Sequence, residues 1–296
     1  MVDVERAWSW IVRAAWVVLP FSTGRLIGDA LAGHSHPVQV VGTGLAWALW
    51  ALGLVATAVP LPAGLVVVRV LAPLTTIAGT VGAARTGGNN LGRVLGLVAA
   101  ILACVVAFHP ETGSLFVNGP AYPNERRFLL RPPAVLLLGP IPLAGALVGA
   151  GAVTGPLLLA SKEWLAGVVV SIVGAAAVVL LGRSLHAMVK RFVVLVPAGL
   201  VVHDALVLRD PVLFAKRQLE LLRAAPADTD SLDLTRGAAG LAVEVLLREK
   251  APVILTGPRP LGRVEDTEGA TARFLVTPTR PGLLLATALA RRLPVD

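Results

Sequence analysis

By position, Arg69 is the residue of this 296-residue chain best placed to do chemistry. It lies inside an apolar run from Ala63 to Ala84, where a guanidinium must find a polar partner or reach the surface. Thr76 follows seven residues later on the same helical face, and Pro73, four residues on, frees a backbone carbonyl. Two roles fit: contact with a solute or partner inside a membrane, or internal pairing with the charge snorkelling outward. Arg69 is six residues from Ala63, about 9 Å by helical rise, and this short reach favours the second role.

The other chemistry-bearing types are sparse. His34-Ser35-His36, with Asp29 nearby, has metal-like side chains but too few ligands. Gly87-Gly88-Asn89-Asn90 lies between Arg85 and Arg93. Such a loop cradles anions when a strand precedes it; here an apolar run precedes it, so it reads as a turn. His203-Asp204 and His186 come with no Gly-x-Ser-x-Gly nucleophile motif. The single cysteine, Cys104, permits neither an intrachain disulfide nor a Cys-based zinc site and reads as a small buried hydrophobe. No catalytic residue, cofactor-binding residue or metal ligand is therefore assigned, and an enzyme is not expected.

Six basic residues flank apolar runs: Arg126, Arg127, Arg131, Arg183, Lys190 and Arg191. They are candidate contacts for anionic lipid headgroups. The net charge is +8, yet no Lys/Arg run exceeds two residues and no aromatics are interleaved, so nucleic acid is not an expected partner.

The elements that must position these residues follow from hydropathy. The chain is 55% hydrophobic and 15% charged, below the roughly 25% charged of soluble domains. Only six acidic residues precede Arg183 and twelve follow it. An apolar half and a water-soluble half result. Five stretches suit transmembrane helices: Val38–Val59, Ala63–Ala84, Arg93–Phe108, Ala134–Leu158 and Trp164–Gly182. Gly139-Pro140-Ile141-Pro142 should break the fourth near its start, and Gly145-xxx-Gly149 and Gly151-xxx-Gly155 are candidate close-packing patterns. Residues 1–37 contain a Trp-rich run interrupted by Arg13; an interfacial amphipathic helix and a sixth, tilted span both fit, the first being preferred.

The expected organisation is an N-terminal amphipathic segment (1–37), a helical bundle of five or six spans (38–182), a basic linker (183–189) and a small, mainly β domain (190–296). In the last, Arg191–Pro197 and Leu200–Val207 read as a hairpin. Asp210–Phe214, Gln218–Leu222, Leu241–Leu247, Val253–Leu255 and Arg273–Val276 are further strand candidates. Pro281 opens a closing helix through Leu284, Leu285, Ala288 and Leu289.

The stretch Phe192-Val-Val-Leu-Val-Pro-Ala-Gly-Leu-Val-Val-His-Asp204, with Pro278-Thr-Arg-Pro-Gly-Leu-Leu284, resembles a bacterial PH-like domain, a bent sheet capped by a C-terminal helix. Phe116-Val-Asn-Gly119, Glu125-Arg-Arg-Phe128 and Leu130-Arg-Pro-Pro133 resemble a family of uncharacterised actinobacterial multi-pass membrane proteins. That likeness implies no activity, so no functional residue is carried over.

With five spans, basic residues divide six against six across the membrane, which leaves orientation open. If the N-terminal segment crosses, Arg6 changes side and Arg13 leaves the loop count, and the balance favours a cytosolic C-terminal domain. The expected function is a non-enzymatic scaffold in the cell membrane, its PH-like domain binding lipid headgroups or another membrane protein. A transporter or transporter subunit is the alternative.

Overall fold

A computed structural model of the chain describes residues 2–85, 91–256 and 266–296. The chain divides into two compact units, one of residues 1–119 and 141–186, the other of residues 120–140 and 187–296.

The first unit is helical. Its elements are α1 (Val2–Val17), α2 (Leu19–Ala32), α3 (His36–Ala58), α4 (Pro62–Arg85), α5 (Leu91–Phe108), α6 (Pro110–Asn118), α8 (Pro140–Ala160) and most of α9 (Trp164–Val189). Among the described residues, six helices are long and apolar enough to cross a membrane: Glu5–Ala32, α3, α4, α5, α8 and α9. Helix is the expected form, because hydrocarbon offers backbone amides no partner outside their own segment.

This corrects the reading of residues 1–37 as an interfacial segment. α1 and α2 together make an apolar stretch long enough to span, and one face of it is inside the unit while Trp10 and Phe21 are exposed. Val12, Trp16, Leu19 and Leu26 are each no more than 4% exposed. Glycines on neighbouring helices make the room. A Cβ on Gly53 would lie 2.0 Å from the Trp16 ring, and one on Gly82 would lie 1.8 Å from the Leu26 carbonyl oxygen. Polar groups close the same packing: the Trp16 and Trp50 indole N–H groups each donate to the other residue's carbonyl, at 2.8 and 3.0 Å. Arg13 donates to the last carbonyls of α3, at Thr57 and Ala58. That satisfies acceptors which a helix C-terminus leaves open.

The break at Gly139-Pro140 is present. A short helix, α7 (Ala134–Leu138), stops there, and the long helix α8 begins at Pro140. Of the two glycine patterns, only Gly151-xxx-Gly155 makes a close seam. A Cβ on Gly151 would lie 2.9 Å from the Gly174 Cα, and one on Gly155 2.7 Å from the Ser171 Cα. A Cβ on Gly145 would meet nothing within 4 Å. Residues 183–189, a basic linker or a helical extension of the fifth span by sequence, are helical: α9 runs unbroken to Val189.

The second unit is mainly β. One sheet is an antiparallel meander of β1 (Arg126–Leu129), β2 (Phe192–Val196), β3 (Gly199–His203) and β4 (Val212–Ala215). The other runs in the order β5 (Leu219–Ala224), β7 (Val243–Thr256), β8 (Asp266–Val276) and β6 (Leu232–Asp233). α10 (Pro281–Ala290) closes the unit, burying Leu284 and Ala288 one turn apart. Leu195, Leu200, Phe214, Leu222, Phe274 and Leu284, each at most 1% exposed, form a single core with their neighbours.

Two features depart from the sequence reading. Leu241–Leu247 and Val253–Leu255 belong to one long strand, β7, which is interrupted by a register shift between Leu246 and Ala251. That irregularity puts Arg248, Glu249 and Lys250 in the middle of the strand and disguises it as two. More important, β1 comes from before α8. Arg126–Leu129 pairs in register with Leu195–Phe192, and Phe128 and Leu130 fill the core. The β unit is therefore assembled from chain on both sides of the α8–α9 pair, whereas residues 190–296 alone were expected to form it.

Candidate functional site

Arg69 and Thr76 do share a face of α4, and both are engaged by α5. Arg69 Nε donates to the Ala107 carbonyl at 3.4 Å, and its guanidinium lies 5.8 Å from the centre of the Phe108 ring. Thr76 Oγ1 donates to the Ala72 carbonyl at 2.9 Å and the Ala100 carbonyl at 3.1 Å. Ala100 and Ala107 are themselves seven residues apart, so the pair stitches two helices at two levels.

The six basic residues assigned to anionic lipid differ in exposure. Arg191 is removed from that set: it is 1% exposed and makes a two-pronged ion pair with Asp204, Nε to Oδ1 at 2.7 Å and Nη2 to Oδ2 at 2.8 Å. Its remaining nitrogen, Nη1, donates to the Arg131 carbonyl at 3.2 Å. Asp204 Oδ1 also accepts from the Leu206 amide. This cluster joins the start of β2, the end of β3 and the chain after β1. Backbone bonds run alongside it, from the Leu130 amide to the Arg191 carbonyl and from the Arg131 amide to the Thr277 carbonyl.

Arg127 is half-buried, paired with Glu125 at 2.9 Å, and stacked 5.3 Å over the Phe192 ring. The Glu125 carboxyl is held below its ordinary range chiefly by that Arg127 hydrogen bond. Arg126 is half-buried on β1, and its charge together with burial lowers the Arg291 pKa. Arg291 Nη1 donates to the Asn124 and Leu195 carbonyls, tying the helix end to β1 and β2. Arg131 is half-buried; Arg183 and Lys190 are exposed.

A second buried carboxylate, Glu244 on β7, had no signal in the sequence beyond an acidic residue in an apolar run. It accepts hydrogen bonds from Thr229 and Ser231 and pairs with Arg223 at 2.8 Å. Burial opposes its ionisation. Those hydrogen bonds and the Arg223 charge outweigh burial and hold the carboxyl at about 2.

His203 stacks on Phe192 with ring centres 4.7 Å apart and shares a hydrogen bond with the Lys190 carbonyl. His34 Nδ1 lies 3.5 Å from Arg85, which donates to the Ala30 carbonyl. No group of three or more metal-ligating side chains occurs among the described residues. The Gly87–Asn90 turn lies outside the described residues.

One feature was missed altogether. A cavity of about 520 Å³ opens among α2, α3, α4 and α8, with Leu31, Leu45, Trp47, Leu74, Ala78 and Leu157 in its walls and the exposed Arg25 beside them. The available signal was a second arginine in an apolar run, Arg25, next to Gly24 and Gly28. Compared with family models, with curated proteins and with solved structures, the chain matches none.

Proposed function

We propose that this multi-pass membrane protein is a non-enzymatic scaffold. Its β unit is PH-like, faces the cytosol from the cell membrane, and presents a surface to anionic lipid headgroups or another membrane protein. The observation that carries the reading is the threading of the β unit. β1 enters its sheet before the α8–α9 pair and β2 directly after it. One sheet thus takes a strand from before the α8–α9 pair and a strand from after it, with the Arg191–Asp204 pair beside their junction. A domain tethered to the membrane by chain at two points suits a display role. An antiparallel four-strand meander, a second sheet and a closing helix support the PH-like likeness.

Six crossings support the orientation. The segments 109–139 and 190–296 then fall on one side together with Arg6. Arg6, Arg126, Arg127, Arg131, Arg183, Lys190 and Arg191 lie there, against Arg25, Arg85, Arg93 and Lys162 on the other. The bias of basic residues marks the first side as cytosolic.

The cavity favours one second reading, a transporter or transporter subunit. The two separate in a paired experiment. Full-length protein carrying a photo-cross-linking residue at the exposed positions Leu213 or Leu241 should give a discrete protein or lipid adduct in cells. Proteoliposomes of the same protein should show no solute flux above empty vesicles. Flux without adducts would replace the scaffold reading with the transporter.

A further inference from the structure

We propose that the cavity among α2, α3, α4 and α8 holds one acyl chain of an anionic phospholipid, with the lipid phosphate against Arg25 at the rim. The chemistry of the wall sets the guest. Its volume, about 520 Å³, is within the ~300–1,000 Å³ of small-ligand pockets. Apart from the exposed Thr43, its uncharged polar side chains are already spent. Thr23 Oγ1 donates to the Gly96 carbonyl at 2.8 Å and Thr75 Oγ1 to the Leu71 carbonyl at 2.9 Å. The indoles of Trp16 and Trp50 donate to each other's carbonyls. A water or polar solute inside would find few partners, and water needs two to four. A hydrocarbon chain needs none.

Arg25 supplies the other half of the argument. It is exposed, and no hydrogen bond or ion pair engages it among the described residues. It lies seven residues before the end of α2 at Ala32, about 10 Å by helical rise. A charge at that depth in a span faces a cost that an anionic partner removes. Asp29, one turn on, is exposed and makes no contact with it. Arg85 adds a second cation at this end of α2 through its 2.9 Å bond to the Ala30 carbonyl. A phosphate joined to an acyl chain satisfies both halves at once, since guanidinium pairs phosphate with two parallel bonds.

The cavity can be filled without a clash. Gly28 lines it, and a Cβ there would meet nothing within 4 Å. Gly28→Leu should therefore occupy the space while the fold persists, which the thermal midpoint in detergent checks.

The test is tryptophan quenching of the full-length protein in nanodiscs of phosphatidylcholine. Brominated phosphatidylglycerol or brominated phosphatidylcholine is titrated in. With Trp8, Trp10, Trp47 and Trp164 replaced by phenylalanine, the remaining Trp16 and Trp50 line the cavity and report its occupant. Brominated phosphatidylglycerol should reach half-maximal quenching at a mole fraction about tenfold lower than brominated phosphatidylcholine, because the choline cation offsets the phosphate charge that Arg25 would otherwise pair. Arg25→Gln should erase that preference, Gly28→Leu should remove the quenching by either lipid at these tryptophans, and Arg183→Gln should change neither. Equal quenching by the two lipids would overturn the proposal. So would a preference that survives in Arg25→Gln, or competition by free inorganic phosphate. Quenching that depends on protein density alone would assign the cavity to a second copy of the chain and overturn it as well.

Discussion

At the scale of single residues, the buried charges of this protein are spent on holding it together. Arg191 and Asp204 show it best. Arg191→Ala would strand a buried carboxylate, and loss of one member of such a pair costs about 3–5 kcal/mol. The thermal midpoint of the Arg191→Ala protein should fall accordingly. Arg191→Met with Asp204→Leu should recover part of the loss and not all, because the Leu206 amide and the Arg131 carbonyl lose partners that apolar side chains cannot replace. Glu244 makes a pH-dependent contribution of known sign. Its folded pKa of about 2 is below the ~4.3 of an unfolded glutamate. Its stabilisation is therefore complete above about pH 4.3 and is lost as pH falls toward 2. Unfolding midpoints of the native protein and Glu244→Gln should differ at neutral pH and converge in acid; a gap that widens in acid would contradict the hydrogen-bond set. For Arg69, a lysine can still reach the Ala107 carbonyl and the Phe108 ring, so Arg69→Lys should unfold near the native midpoint, whereas Arg69→Leu should lose about 1 kcal/mol. Arg69 was legible in the sequence because its depth in the run is a count of residues. The partners of Arg191 were not: thirteen residues separate it from Asp204, and only the register of β2 on β3 brings them together.

At the scale of elements, the glycines and the split sheet make the sharpest claims. Gly151→Leu should disrupt the seam of α8 against α9 and cost about 1–3 kcal/mol by overpacking. Gly145→Leu, aimed at open space, should be tolerated. Both glycines sit in the same four-residue spacing, so the pattern alone could not tell them apart; which face of α8 meets α9 decides it. The β unit makes the second claim. Residues 190–296 alone lack β1, leave the outer edge of β2 unpaired, and omit Phe128 and Leu130 from the core. That fragment should aggregate. A chain joining residues 120–132 through a short linker to residues 189–296 should be soluble and give a mainly β circular dichroism spectrum. The junction is feasible because the Leu130 amide already bonds the Arg191 carbonyl at 2.9 Å. The hairpin of β2 and β3 and the closing helix were readable from alternation and from Pro281. β1 was not, since Glu125-Arg126-Arg127 reads as a charged loop until its pairing partner, 67 residues on from Arg127 at Val194, is known.

At the scale of the whole molecule, six apolar helices set which segments share a side of the membrane. The long apolar runs were plain in the sequence because hydrocarbon demands length and apolarity, which can be counted. The first crossing was not, because Arg13, Pro20 and Arg25 interrupt it, and its burial depends on glycines in helices elsewhere in the chain. Six crossings place both parts of the β unit on one side, and the loops at Ser35 and Lys162 on the other. Cysteine mapping tests this directly. In a Cys104→Ala background, single cysteines at the exposed positions Ser35, Asn124, Lys162 and Asp228 would be challenged in intact cells with a membrane-impermeant maleimide. Positions 35 and 162 should label, and positions 124 and 228 should label only after permeabilisation. Labelling of 124 and 228 on opposite sides, or of 35 on the same side as 124, would contradict the six-span threading of the β unit.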